Sequence, residues 1–128
     1  DWSIGKSRKA GGAREGGFPG ASVILDQLAN GPPRRRVGLL PEGRAPLRAG
    51  TRLFADHDFG AEPVGQVTSG AFGPSLAAPV AMAMLAPALA LPGTALVAEL
   101  RGRPVAARVA ALPFVSPGFK RSPARTAA

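Results

Sequence analysis

The single histidine of the sequence, His57, stands between Asp56 and Asp58, three side chains of the kinds that serve as general bases and metal ligands. Such chemistry requires convergence, and neighbours along a strand or tight turn point to different sides. Asp56-His57-Asp58 therefore reads as a turn between strands. Cysteine is absent and no HExxH pattern occurs, so thiol nucleophiles, thiolate zinc sites and metal-dependent hydrolysis find no support; no metal is expected. Thr68 and Ser69, in Gly65-Gln66-Val67-Thr68-Ser69-Gly70, offer hydroxyls. A hydroxyl nucleophile needs a positioned base and an oxyanion pocket. With the histidine assigned to a turn, these two are expected to serve turn chemistry at a strand end.

Gly11-Gly12-Ala13-Arg14-Glu15-Gly16-Gly17 has the glycine content of a phosphate-cradling loop, yet neither the Gly-Lys-Ser/Thr ending of a P-loop nor GxGxxG after a strand is present. A flexible connector is the favoured reading. Arg34-Arg35-Arg36 is the densest basic run. On a strand, Arg34 and Arg36 share one face and Arg35 takes the other; the run suits a solvated strand start or a docking site for an acidic protein. The chain as a whole has 16 Lys and Arg against 8 Asp and Glu, a formal charge of +8, which favours anionic partners. Its six Phe, one Trp and absent Tyr form no basic-aromatic interleaving of the kind that reads single-stranded nucleic acid.

These residues must be positioned by elements, and the apolar pattern names them. Ala21, Ile24, Leu25 and Leu28 recur at helical spacing, with Pro19 in the first turn and Asn30-Gly31 then Pro32-Pro33 as a left-handed cap and stop, predicting one short helix near 20–29. Beyond Pro33, short apolar runs alternate with Gly, Pro and Asp, predicting strands near 35–40, 51–55, 62–69, 79–85, 94–101 and 104–112. Arg101-Gly102-Arg103 would turn the last pair, with Gly102 free to take positive φ. The fold class is mainly β: a six-stranded barrel or jelly roll preceded by a glycine-rich loop and a short helix. Residues 1–33 are expected to connect, 34–121 to form the barrel domain, and 122–128 to be a disordered tail. Leu76 to Ala98 carries no charge, but Pro79, Pro87 and Pro92-Gly93 divide it into strands, so no membrane span is expected. No signal peptide is visible, and the absence of cysteine fits a reducing compartment.

At this point several motifs fall in a recognisable order: Arg35-Arg36-Val37-Gly38-Leu39, Val64-Gly65-Gln66-Val67-Thr68-Ser69-Gly70, Phe72-Gly73-Pro74-Ser75-Leu76, Pro79-Val80-Ala81-Met82-Ala83, Pro92-Gly93-Thr94 and Leu112-Pro113-Phe114-Val115. Their order and spacing resemble the C-terminal domain of the glycine cleavage T-protein family, and Lys6-Ser7-Arg8-Lys9 with Gly16-Gly17-Phe18-Pro19-Gly20-Ala21 resembles the segment before it. The strand motifs alone are shared with folate-using dehydrogenases and oxidases and with a folate-binding iron–sulfur assembly factor; the Phe-Pro-Gly-Ala segment favours the T-protein.

The resemblance implies the C-terminal part of an aminomethyltransferase of three domains around a tetrahydrofolate cavity. Such an enzyme takes the aminomethyl group from the lipoyl arm of the H-protein, releases ammonia and passes the carbon to tetrahydrofolate as methylene. The family's catalytic Asp lies upstream, so no catalytic residue is assigned here and the chain alone should be inactive. Folate would be held mostly by the upstream domains, with Phe119, Lys120 and Arg121 contributing a ring for the pterin or aminobenzoyl plane and cations for the glutamate tail. Phe119 stands where the family usually has Tyr and so lacks that hydroxyl. Arg34, Arg35 and Arg36 are the candidates for docking the acidic H-protein. Implied partners are the lipoylated H-protein and the upstream domains of the same enzyme, with no nucleic acid and no membrane, in a bacterial cytoplasm. The alternatives are a free-standing basic barrel that binds nucleic acid or an acidic protein, and the equivalent domain of a folate-using dehydrogenase or oxidase.

Overall fold

A computed structural model describes residues 3–118 of the chain. Residues 3–30 form a loop and helix α1 (Ala21–Asn30). The loop begins with a 3-10 turn at Lys6–Arg8. It is held by its own backbone rather than left open: Gly12 N donates to Lys9 O, Arg14 N to Ser7 O and Gly16 N to Arg8 O, at 2.9 to 3.1 Å. The Arg8 guanidinium donates to the Gly16 carbonyl at 3.0 Å, and Gly11 N donates to Glu15 Oε2 at 2.7 Å. The glycines thus permit a tight loop in which the N–H groups of Gly11, Gly12, Arg14, Glu15 and Gly16 all donate internally. Pro19 lies before α1, where Gly20 caps the helix with φ 76°. Gly31 ends it with φ 88° and ψ 149°, a positive φ but not the left-handed helical cap expected.

Six strands follow: β1 (Arg35–Pro41), β2 (Arg52–Phe54), β3 (Gly65–Gly73), β4 (Ala78–Leu85), β5 (Ala95–Leu100) and β6 (Arg103–Ala110). They close as an antiparallel barrel in the order β1-β4-β3-β2-β5-β6, the barrel expected from the strand pattern. Closure pairs β1 with both β4 and β6 and so leaves no free sheet edge. The largest departure from expectation is β3, which starts after Glu62-Pro63 and runs on to Gly73. Pro63 has no N–H to offer a ladder, whereas Ser69 to Gly73 gain partners in Ala78 to Met82 across a short turn. Thr68 and Ser69 consequently sit inside a strand, at a register shift between Val67 and Ser69, and not at a strand end.

Alternation decides the interior. Pro79, Ala81, Ala83 and Leu85 of β4 are buried and their neighbours are not. Ala81, Ala83 and Leu85 join Val37, Leu39, Leu53, Val67, Leu96, Ala98 and Val109 in one apolar core. The connection from β1 to β2 adds Leu47, fully buried in the same core; the connection from β4 to β5 packs Leu89 and Ala90 against that core. Gly70 allows the Leu47 backbone to approach, since a Cβ there would collide with the Leu47 carbonyl oxygen. Phe54 faces away from Leu53 and is covered by Phe59, ring centroids 5.0 Å apart. Among the described residues no buried side chain is polar or charged, so whatever chemistry the domain contributes must be on its outside.

Candidate functional site

The Asp56-His57-Asp58 trio lies exposed in the connection between β2 and β3. Its carboxylates are occupied locally: Asp56 Oδ1 accepts from Asp58 N at 2.8 Å and Asp58 Oδ1 accepts from Gly60 N at 2.9 Å. These are Asx turns, which agrees with the turn reading. No group of three or more His, Asp or Glu converges among the described residues. Thr68 Oγ1 donates to the Met82 carbonyl at 3.1 Å, bridging the bulge to β4. That use of the hydroxyl is structural.

Two features of the outer surface remain. The first is the chain after β6. It turns back across the outside of the barrel so that Phe114 lies on Gly38 of β1. A Cβ at Gly38 would stand 2.7 Å from Phe114 Cε1 and 2.9 Å from Leu112 Cδ2, so the ring is seated on bare backbone. A hollow of about 160 Å³ beside it is lined by Ser69, Ala71, Val80, Met82 and Phe114. This contact fixes the path of the segment leading to Phe119, Lys120 and Arg121; those three residues, like the expected tail 122–128, lie outside the described residues.

The second feature is the arginine run at the start of β1. Register separates its members. Arg36 is opposite Met84 and Arg35 is opposite Leu85, so they take opposite faces. Arg34 borders an outer groove of about 510 Å³ that also includes Glu62, Gln66, Thr68 and Met84. It therefore shares the Met84 side with Arg36, as the alternation predicts. Arg35 borders a different hollow, of about 720 Å³, walled by Ile4 and by Ile24 and Leu28 of α1. All three arginines are exposed. Among the described residues the one ion pair is elsewhere, Arg52 with Glu99 across β2 and β5, and its guanidinium carbon also stands 5.4 Å from the Phe54 ring centroid.

Three details escaped sequence reading. The Gly38 notch was visible only as a glycine within a strand, a sign of close backbone approach; the burial of Leu47 and the positive φ of Arg101, 54°, left no local sign.

Comparison with known proteins places this architecture. Residues 34–116 match the family described as glycine cleavage T-protein C-terminal barrel domain. The chain is 38% identical over 122 residues to the mitochondrial aminomethyltransferase of Mesembryanthemum crystallinum, covering 95% of this chain and 28% of that protein. It is 44% identical over 105 residues to the aminomethyltransferase of Streptomyces coelicolor, covering 79% of this chain and 27% of that protein. The crystal structure of glycine cleavage system aminomethyltransferase T from Bartonella henselae superposes with a TM-score of 0.74 at 44% identity, covering 89% of this chain and 30% of that one. The chain thus spans under a third of the length of each of these relatives. With the matched residues coinciding with the closed barrel just described, the chain belongs to the glycine cleavage T-protein family and carries its C-terminal barrel domain.

Proposed function

We propose that the chain is the C-terminal domain of a tetrahydrofolate-dependent aminomethyltransferase, the domain that walls the folate cavity and helps seat the lipoylated H-protein. The observation that carries this reading is the match of residues 34–116 to the family's C-terminal barrel domain. In the proposed reaction the aminomethyl carbon leaves the lipoyl sulfur of the H-protein and is bonded as methylene to tetrahydrofolate; the nitrogen departs as ammonia and the sulfur is left as a thiol. The catalytic carboxylate belongs to the upstream domains. The apolar barrel interior supports that division, because among the described residues it holds no acid, base or nucleophile.

Phe119, Lys120 and Arg121 are proposed to reach folate, and Arg34, Arg35 and Arg36 to attract the H-protein. The formal charge of +8 supports steering of an acidic partner. No metal takes part in this proposal, and neither nucleic acid nor a membrane is a partner. A bacterial cytoplasm is the proposed compartment; the Streptomyces relative supports a bacterial source, while the Mesembryanthemum relative is mitochondrial. The test is direct: the full-length protein, given tetrahydrofolate and aminomethylated H-protein, should form methylenetetrahydrofolate and ammonia, and absence of transfer by the full-length protein overturns the assignment.

A further inference from the structure

We infer that Asn30-Gly31, at the exit from α1, is a site of spontaneous deamidation whose rate is set by opening of the helix's last turn, and whose product then loosens that turn. Asn30 is the only asparagine of the sequence, and the residue after it is glycine. Deamidation begins when the backbone nitrogen of the following residue attacks the side-chain amide carbon. That new C–N bond closes a succinimide ring, the side-chain nitrogen leaves as ammonia, and water then opens the ring to aspartate or isoaspartate. Glycine hinders the closure least, and no heavy atom beyond the neighbouring residues stands within 4 Å of where a Gly31 Cβ would be. Both residues are exposed, so water reaches the ring.

Both reacting groups are held by the fold. Gly31 N donates to Gln27 O at 3.0 Å, and Asn30 Nδ2 donates to Asp26 Oδ1 at 2.7 Å. While these bonds last, the attacking nitrogen belongs to the helical ladder and the leaving amide is turned back toward Asp26, so ring closure waits for the turn to open. Little keeps it shut. Helix α1 has ten residues, none of them buried, and no basic residue in its last turn, and so short a helix frays at its ends. The product then shifts the balance. A carboxylate at position 30 replaces the donor to Asp26 and sets like charges four residues apart, which destabilises a helix by about as much as the lost pair stabilised it. It also puts negative charge at the negative end of the helix dipole; Arg35, which borders the same hollow as Asn30, offsets part of that charge. Isoaspartate goes further, because its extra backbone carbon breaks the ladder.

The test ages the full-length protein at neutral pH, native and unfolded in urea, and maps its peptides by mass. The native protein should gain one mass unit at Asn30, more slowly than the unfolded protein, and part of the product should accept a methyl group from an isoaspartyl methyltransferase. No conversion of the native protein by the time the unfolded one has turned over, or equal rates in the two, would overturn the inference. In urea, where folding plays no part, Gly31→Ala should slow the conversion several-fold; an unchanged rate would refute the cyclisation route. For the return effect, Asn30→Asp in the full-length protein should lower the hydrogen-exchange protection of the Gly31 amide by about two- to fivefold, the combined effect of losing one favourable pair and gaining one repulsive pair. Unaltered protection would show that the product does not loosen the turn. None of these readouts depends on methylene transfer, so this site and the proposed activity can fail separately.

Discussion

Gly38 and Phe114 show how one missing side chain sets the course of a segment. Because the ring rests where a Cβ would be, Gly38→Ala must displace Phe114 or bend β1, and overpacking of this kind costs about 1–3 kcal/mol. We expect urea denaturation to show that loss, and Gly38→Ala in a Phe114→Ala background to cost markedly less, since the two residues share one contact. Additive losses would mean that the ring is not held by the notch. Further along the same segment, Phe119→Ala in the full-length protein should weaken tetrahydrofolate binding and leave the unfolding midpoint unchanged. An unaltered affinity would assign Phe119 to packing alone.

Among the elements, the hairpin joining β5 and β6 has positive φ at both turn residues, 54° at Arg101 and 73° at Gly102. That is the type I′ arrangement, which prefers Asn-Gly; Arg101 pays the left-handed penalty, which Asn tolerates better, so Arg101→Asn should stabilise the chain by about 1 kcal/mol. Thermal unfolding checks it, and an unmoved or lowered midpoint contradicts the strain. The β1 register makes a prediction about docking. Charge reversal of Arg34 and Arg36, which share the Met84 side, should weaken H-protein binding by full-length protein at low salt. Reversal of Arg35, which takes the opposite face and borders the hollow beside α1, should weaken it less. Equal losses from all three would point to diffuse attraction instead of a face.

For the molecule as a whole, the apolar interior and the chain's coverage of under a third of its relatives lead to one expectation. Supplied alone with tetrahydrofolate and aminomethylated H-protein, the 128-residue chain should give no methylene transfer. Turnover at the rate of a full enzyme would show that the catalytic group is within it. The runner-up reading, a free nucleic-acid-binding barrel, is tested at the same scale: it requires affinity for unrelated oligonucleotides that falls steeply with salt, and we expect none. The core itself depends on long-range packing, so Leu47→Ala, which empties a fully buried core position, should cost about 2–5 kcal/mol by denaturant titration.

What could be read along the chain was whatever is local. Short apolar runs between Gly, Pro and Asp named the strands, the i, i+3, i+4, i+7 spacing named α1, and glycine and proline marked the turns, because each of these is a property of a few consecutive residues. The turn role of His57 followed in the same way, from the inability of neighbours to converge. Strand limits were less legible: β3 was drawn too early, since its far half is a strand only by virtue of its pairing with β4. The order in which the strands close, the burial of Leu47, the seating of Phe114 on Gly38 and the residues that share a hollow with Arg34 or with Arg35 belong to the tertiary structure alone. Each is a contact between residues distant in sequence, and its energy exists only once the barrel has shut and brought both partners to one place.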